Sequence, residues 1–239
     1  MRKLSYPGRS NVLAQNGMVA TSNPLSSMVA INVLQKGGNA VDAAIAASAV
    51  QAVVCPSSTG IGGDCFAIIS MKGKKPIAVN GSGIAPKKAN LQFYKDNKIK
   101  NIGLTSPHSV TIPGAVHAWC SMHEEFGKID FKEVLSGAEN FARNGFPIHE
   151  VEAIAWKENE KKLKKNPNSK RVFLNKNFSY SFGEVFKNIP LANTLRVISK
   201  NKIKGFYESV ITKDMVKTLN ELGGLHTEED FYNQKTLFS

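Results

Sequence analysis

Cysteine is scarce in this 239-residue sequence, and its scarcity narrows the kinds of protein to consider. The three cysteines, Cys55, Cys65 and Cys120, are too few for a disulfide scaffold and lack the paired C-x-x-C spacing of a zinc site. We therefore expect free thiols in a reducing compartment, and we predict neither a metal site nor a cofactor.

Long hydrophobic runs are also missing. The most apolar stretch, Ala40–Val54, has 15 residues and contains Asp42 and Gln51, whereas a bilayer requires about 20 apolar residues. The N-terminal stretch Met1–Gln15 has no apolar run of the kind that a signal peptide needs. The sequence thus predicts a soluble cytoplasmic protein without a membrane partner, and a periplasmic location would require an upstream start.

Acidic residues are few, because 19 Asp and Glu stand against 31 Lys and Arg, and the net charge of +12 raises the question of a polyanion partner. The segment Lys157–Lys176 holds eight Lys and Arg against two Glu, but Phe173 is its one aromatic residue and no nucleic-acid-binding motif surrounds it. We interpret this segment as a solvated helix face and predict no nucleic-acid partner. Steeply salt-dependent DNA binding is the alternative.

The common catalytic motifs are absent as well. There is no H-E-x-x-H pattern and no G-x-S-x-G elbow, and we expect the five histidines to be structural or exposed. The glycine-rich run Thr59–Asp64 follows a predicted helix and opens into a strand, which is the reverse of a dinucleotide-binding loop. Its glycines instead allow close backbone approach. Cys65 could be a nucleophile, but its place at the start of an apolar strand favours an inert thiol.

Local signals predict a mixed helical and sheet structure. Asn23-Pro24 begins a helix that Gly37-Gly38 ends, and Asn39 caps a second helix whose apolar surface on every side predicts burial. The final stretch, His226–Ser239, is expected to lack a closing element. Predicted helices span Pro24–Lys36, Ala40–Val54, Ala115–Phe126, Phe131–Asn144, His149–Lys165, Pro190–Ser199 and Lys213–Leu222; predicted strands span Gly17–Ser22, Cys65–Lys72, Pro76–Ser82 and Ser109–Ile112, with a hairpin turn at Lys72–Lys75.

Several segments, in order, resemble the gamma-glutamyltranspeptidase family of N-terminal-nucleophile hydrolases. The similarity covers nearly the whole chain, and the GGNAVDAA and GIGGD blocks carry most of its specificity. The segments are GMVATSNPLSS at Gly17–Ser27, LQKGGNAVDAAIAA at Leu34–Ala47, PSSTGIGGDCF at Pro56–Phe66, Ala85-Pro86, TIPGAVHAW at Thr111–Trp119, ENFARNGFPI at Glu139–Ile148, LANTLRVIS at Leu191–Ser199, GFYES at Gly205–Ser209 and GGLHTEEDF at Gly223–Phe231.

The resemblance implies an α+β fold, the αββα sandwich of N-terminal-nucleophile hydrolases. Residues 1–239 would be a single large-subunit domain, incomplete because it stops before the small catalytic subunit of the same precursor. It further implies that the precursor cuts itself before a threonine, whose hydroxyl becomes the nucleophile for a small-molecule amide substrate of the glutathione type. That threonine lies beyond this chain, so no catalytic residue is assigned here, and Thr227 and Thr236 are not candidates.

The resemblance also points to a substrate-facing edge. The family's large subunit holds an arginine just before the block that ends in Ala85-Pro86, and this arginine clamps the α-carboxylate of the glutamyl group. Here Ser82 occupies that place, and with Asn80 and Gly81 it is our candidate for substrate binding; Lys87 or Lys88 could supply charge. A turn residue between strand and loop is the competing interpretation of Ser82.

Two functional hypotheses follow. The first is an amide-cleaving enzyme of this family that transfers or hydrolyses gamma-glutamyl groups; because of Ser82, a related amidohydrolase or acylase of the oxamate or cephalosporin type is its alternative. The second is a noncatalytic binding fragment derived from the same fold, which would require a core closed without the small subunit.

Overall fold

The computed structural model describes residues 11–239, so most of the stretch Met1–Gln15, to which the signal-peptide expectation refers, lies outside the described residues. Its elements follow one another as α1 (Pro24–Gln35), α2 (Ala40–Val54), β1 (Cys65–Ile69), β2 (Ile77–Gly81), α3 (Leu91–Asp96), a 3-10 turn (Pro107–Ser109), α4 (Ala115–Phe126), α5 (Phe131–Asn144), β3 (Phe146–Pro147), α6 (Glu150–Leu163), α7 (Pro167–Phe173), β4 (Val185–Phe186), α8 (Ile189–Tyr207), α9 (Val210–Glu221), α10 (Glu228–Tyr232) and β5 (Leu237–Phe238).

Helix α2 lies at the centre of the core, as its apolar composition predicts. Asn39 and Asp42 form a capping box in which each side chain accepts a backbone N–H of the other residue. Asp42 is fully buried and also accepts the backbone N–H of Lys128. Helix α2 packs against α1, α4 and α5, and its predicted bounds are confirmed.

The main sheet has the order β1-β2-β5, and both pairs of strands are antiparallel. Strands β1 and β2 form the predicted hairpin, in which Cys65 is opposite Gly81 and Ile69 is opposite Ile77. One face of this hairpin packs against α4. On the other face the side chains of Phe66 and Ile68 are 67% and 79% exposed, so the described chain leaves this apolar face of the sheet uncovered.

Two predicted strands are wrong. Val19 of Gly17–Ser22 packs against the core, but no strand lies beside this segment among residues 11–239. The predicted strand Ser109–Ile112 begins in the last residue of the 3-10 turn and makes one backbone hydrogen bond to the segment after β2, from Ile112 N to the carbonyl oxygen of Ile84 at 2.9 Å. A strand needs a neighbour that supplies a ladder of partners, and apolar composition alone does not supply one.

The expectation of an unfinished end at His226–Ser239 is also wrong. Thr227 and Asp230 form a capping box that starts α10, and Leu237 of β5 pairs with Asn80 of β2. The pairing partner lies more than 150 residues earlier in the chain, which explains why local composition did not indicate a strand. Helices α4 and α5 have the predicted bounds, whereas α8 continues past the predicted end at Ser199 to Tyr207, with a non-helical residue at Lys202.

Within the described residues, none of the helices combines the length and apolar character that crossing a membrane requires.

Candidate functional site

The side chains of Asn80 and Ser82 form a compact turn at the exit of β2. The Oδ1 atom of Asn80 accepts two hydrogen bonds from Ser82, one from its backbone N at 3.0 Å and one from its Oγ at 2.8 Å. Asparagine characteristically stabilises turns in this way. Because the hydroxyl proton of Ser82 is donated to Asn80, the Ser82 oxygen is left as an acceptor, which is a poor partner for a carboxylate.

Three glycines allow this turn to lie directly against the start of α4. A Cβ atom on Gly81 would lie 2.5 Å from the Cβ of Ala118. A Cβ on Gly83 would overlap the carbonyl oxygen of Ile112, and a Cβ on Gly114 would overlap that of Gly81. Glycine is therefore required by close backbone approach rather than by an unusual φ angle.

The glycine-rich loop between α2 and β1 completes the junction. Asp64 accepts the backbone N–H of Gly83 through Oδ1 at 2.8 Å. The carbonyl oxygen of Gly63 accepts the backbone N–H groups of Gly114 and Ala115 at 3.0 and 2.9 Å. These two N–H groups open α4 and would otherwise lack partners. The loop, the strand exit and the helix start are thus joined in one place, as its glycines suggested.

Two residues near the end of the chain support the same junction, and sequence reasoning missed both. Gln234 is buried, and its Nε2 donates to the carbonyl oxygen of Ser82 at 2.9 Å. Asp230 accepts the backbone N–H of Lys87 at 2.9 Å. Although burial opposes the change, hydrogen bonds from Thr227 and Lys87 lower the pKa of Asp230. The T-x-x-D spacing of Thr227 and Asp230 was a local signal for the helix, but it carried no information about Lys87.

Arginine does not reach this turn from elsewhere in residues 11–239. Arg143 and Arg196 both bind Glu139, at 3.2 and 2.8 Å. Arg171 donates to Asn168 at 3.3 Å. Lys87 and Lys88 are exposed beside the turn, but an ammonium group lacks the two-pronged geometry with which a guanidinium holds a carboxylate.

The thiol of Cys65 does not form a nucleophile with a base. Burial raises its pKa, although a hydrogen bond with Trp119 opposes the shift. A raised pKa keeps the thiol protonated and unreactive near neutral pH.

The imidazole of His117 contacts two hydroxyl groups. Its Nδ1 lies 2.8 Å from Thr236 Oγ1 and 3.2 Å from Ser121 Oγ. These contacts tie α4 to the segment before β5.

The basic segment is divided between two helices, because α6 ends at Leu163 and α7 starts at Pro167 with Asn166 as its cap. Glu160 binds Lys164 at 2.7 Å and Lys157 at 3.6 Å. Hydrogen bonds from Lys164 and Ser179 lower the pKa of Glu160 to about 2. Part of the positive charge is therefore neutralised within α6 itself.

Comparisons with known proteins identify the family of the chain. A sequence model described as Gamma-glutamyltranspeptidase matches residues 26–238. The chain belongs to the gamma-glutamyltranspeptidase family. It is 33% identical over 223 residues to the Glutathione hydrolase-like YwrD proenzyme of Bacillus subtilis, covering 92% of this chain and 42% of that protein. It is 32% identical to a glutathione hydrolase proenzyme of a Pseudomonas species, covering 93% of this chain and 40% of that protein.

Solved structures of gamma-glutamyltranspeptidase-family proteins and their relatives share the fold. A gamma-glutamyltranspeptidase of Helicobacter pylori superposes with a TM-score of 0.90 at 29% identity, covering 96% of this chain and 67% of that chain. A cephalosporin acylase of Bacillus halodurans superposes with a TM-score of 0.91 at 32% identity, covering 99% of this chain and 45% of that chain. The predicted α+β sandwich fold is confirmed. The chain spans about two fifths of the length of the curated relatives it matches.

Proposed function

We propose that this chain is the large-subunit part of a self-processing enzyme that cleaves small-molecule amides and passes the acyl group to water or an amine. Its partner would be the small catalytic subunit of the same precursor. The observation that carries this proposal is the uncovered apolar sheet face beside Asn80–Ser82, in a chain whose relatives are named hydrolase proenzymes. A second sheet packed on Phe66 and Ile68 would bury that face and bring a nucleophile to the same edge.

In this reaction the N-terminal threonine of the small subunit attacks the amide carbonyl through its hydroxyl, and its own α-amine takes the proton. The amine product leaves with a proton, and an acyl-enzyme ester remains. Water or a second amine then attacks the ester and regenerates the threonine hydroxyl. The residues Asn80, Gly81 and Ser82 would border the acyl group, held in place by Asp64 and Gln234.

The hydrogen bond between Ser82 and Asn80 bears on the kind of acyl group that the site accepts. A gamma-glutamyl group of the glutathione type carries an α-carboxylate, and Ser82 offers that group no free donor proton. The arginines of the described part of the chain bind Glu139 and Asn168 instead. The site therefore favours an acyl chain without an α-carboxylate over a gamma-glutamyl donor.

The decisive experiment expresses the complete reading frame that contains this chain and measures the mass and N-terminal sequence of each product. We expect a second chain that starts with threonine. The purified enzyme is then assayed with 4-aminobutyryl and gamma-glutamyl anilides, which differ only by the α-carboxylate group. Faster cleavage of the 4-aminobutyryl anilide supports an acyl donor without the α-carboxylate, and faster cleavage of the gamma-glutamyl anilide supports the transpeptidase-type donor. A single unprocessed product without either activity would favour the noncatalytic binding protein.

The proposal extends to the number of domains, the cellular location and the absence of a nucleic-acid partner. We infer a single domain, supported by one continuous hydrophobic core that contains residues of every helix from α1 to α10 except α3. We infer a cytoplasmic location, supported by three cysteines that are all unpaired. We infer no nucleic-acid partner, supported by the charge pairing around Glu160.

A further inference from the structure

A cysteine, a histidine and a glutamate from distant parts of the sequence meet away from the Asn80–Ser82 turn. Cys55 follows the last residue of α2, His149 precedes the first residue of α6, and Glu152 lies in the first turn of α6. One ligand atom from each residue lies within 4.8 Å of the others. The spacing of the cysteines along the chain gave no hint of this group, because its other members are a histidine and a carboxylate more than 90 residues later.

The distances suit a tetrahedral metal ion. Zinc binds thiolate sulfur at about 2.3 Å and imidazole nitrogen at about 2.0–2.1 Å, so tetrahedral angles place these two atoms about 3.6 Å apart. The Sγ atom of Cys55 lies 3.8 Å from Nε2 of His149. Sulfur, nitrogen and carboxylate oxygen are all zinc ligands, and three protein ligands with one open position is an established arrangement.

The burial of Glu152 supports a cation at this place. The residue is 2% exposed, and within residues 11–239 its carboxylate has no Lys, Arg or His nitrogen within 4.0 Å. Its partners are the hydroxyl of Ser57 at 2.7 Å and the backbone N–H of the same residue at 3.3 Å. A buried carboxylate normally requires a compensating charge, and a divalent ion would supply it.

Outer hydrogen bonds hold two of the three ligand groups in position. The Nδ2 group of Asn23, itself buried, lies 3.5 Å from Sγ of Cys55 and points a donor at the sulfur, while Ser57 orients Glu152. Donors of this kind orient and tune metal ligands.

A thiol nucleophile does not explain this arrangement as well. In a cysteine–histidine–carboxylate triad the carboxylate orients the imidazole by accepting its N–H. Here the carboxylate of Glu152 lies beyond 4.0 Å from either ring nitrogen of His149, since no such pair occurs among the ion pairs of the described residues. Cys55 is also only 5% exposed, which restricts the approach of a substrate.

We propose that Cys55, His149 and Glu152 form a zinc-type site that fastens the start of the α2–β1 loop to α6. The loop runs from Pro56 to Asp64, and Asp64 binds the turn at Gly83. The ion would therefore stabilise the loop that supports the candidate substrate edge. The site does not depend on the proposed amide chemistry, and its binding can be measured without an activity assay.

The test uses the full-length, processed protein, freed of metal with a chelator and titrated with Zn²⁺ and Co²⁺. We expect one equivalent of Co²⁺ to produce a sulfur-to-cobalt charge-transfer band, together with visible bands as intense as those of tetrahedral cobalt. Adding Zn²⁺ should displace the Co²⁺ and remove these bands. Zinc should also raise the melting temperature. In Cys55→Ser the band should vanish. Zinc affinity should fall further than the decrease of about 10- to 100-fold that follows the loss of a hydrogen-bond partner of a ligand.

Controls separate a metal site from a thiol–imidazole hydrogen bond. Cys55→Ser keeps a hydroxyl that can bond to His149, so the variant should melt like the wild type in chelator while losing the zinc-dependent shift. Glu152→Gln provides an independent measurement if Cys55→Ser does not fold. Cys120→Ala removes a buried thiol outside the cluster and should bind zinc normally. The proposal is overturned if zinc gives no shift, or if the shift is as large in Cys55→Ser and Glu152→Gln as in the wild type.

Discussion

The side-chain amide of Gln234 bridges the backbone on both sides of Gly83. Its Nε2 donates to the carbonyl oxygen of Ser82 at 2.9 Å, and its Oε1 lies 3.4 Å from the backbone N of Ile84. A residue near the end of the chain thus holds the candidate substrate edge in its conformation.

Replacing Gln234 with alanine should lower stability, because it leaves two backbone groups without their partner. The expected loss is about 1–3 kcal/mol, or a melting temperature lower by about 2–4 °C for each kcal/mol. Gln92→Ala is the matched control, since Gln92 is exposed and bonds only within α3, to Asp96. Thermal melts of the processed protein measure both variants. An equal melting temperature in the two would contradict a supporting role for Gln234.

Gly83→Ala should disrupt the junction more severely than the addition of one methyl group suggests. The added methyl group would overlap the carbonyl oxygen of Ile112, which is backbone and cannot swing aside. We expect a loss of at least about 1–3 kcal/mol, the usual range for overpacking, together with reduced amidase activity. At Gly103 a Cβ would meet nothing within 4 Å, so Gly103→Ala should leave melting temperature and activity near wild type.

Ser82→Arg should restore a carboxylate clamp. A guanidinium makes charged hydrogen bonds worth about 1.5–3 kcal/mol each, so we expect kcat/KM for a gamma-glutamyl anilide to rise about tenfold or more. The value for the 4-aminobutyryl anilide, which lacks the carboxylate, should not rise. Ser136→Arg places the same charge at an exposed position on α5 and should have no such effect. If Ser82→Arg gives no gain, the assignment of Ser82 to the arginine position fails.

Ile68→Asp should prevent assembly with the small subunit while leaving the large subunit folded. The side chain is 79% exposed, so the charge costs little until a second sheet covers it. Val210→Asp is the control, because Val210 is 76% exposed on α9, away from the sheet. Size-exclusion chromatography of the co-expressed subunits should show the complex for Val210→Asp only. Complex formation by both variants would argue against the sheet face as the interface.

Acidification should destabilise the protein through His226. This residue is 1% exposed, its Nε2 donates to the carbonyl oxygen of Val110 at 2.8 Å, and its Nδ1 is buried without a hydrogen-bond partner in the described structure. Burial lowers the pKa of His226 below its ordinary value of 6.5, although the bond to Val110 and the charge of Asp230 oppose the shift. The unfolded chain therefore binds a proton at higher pH than the folded chain does.

The stabilisation from neutral His226 is thus complete above pH 6.5 and is lost as the pH falls through the lowered pKa of the folded state. Melting temperatures measured between pH 7.5 and 5 should decrease, and His226→Gln should show a weaker decrease over that interval. A wild-type protein that becomes more stable toward pH 5 would contradict this account.

Local sequence signals predicted the bounds of those helices whose ends are marked by capping residues. Asn39 and Asp42 start α2, and Gly127 and Gly145 follow the last residues of α4 and α5, so all three helices have their predicted bounds. Asn166-Pro167 starts α7 in the same way that Asn23-Pro24 starts α1, although α7 is not among the predicted helices.

The amino-acid sequence by itself determined the family, through blocks spread along most of the chain, and the central helix and the β1–β2 hairpin, which depend on residues close together in the chain. Only the tertiary structure decided that Gln234 supports Ser82, that β5 joins β2, and that Cys55 meets His149 and Glu152. These partners are separated by about 90 to 160 residues, and hydrophobic periodicity and capping signals act over one or two turns of chain. Long-range contacts of this kind form when the packed core fixes the relative positions of its elements.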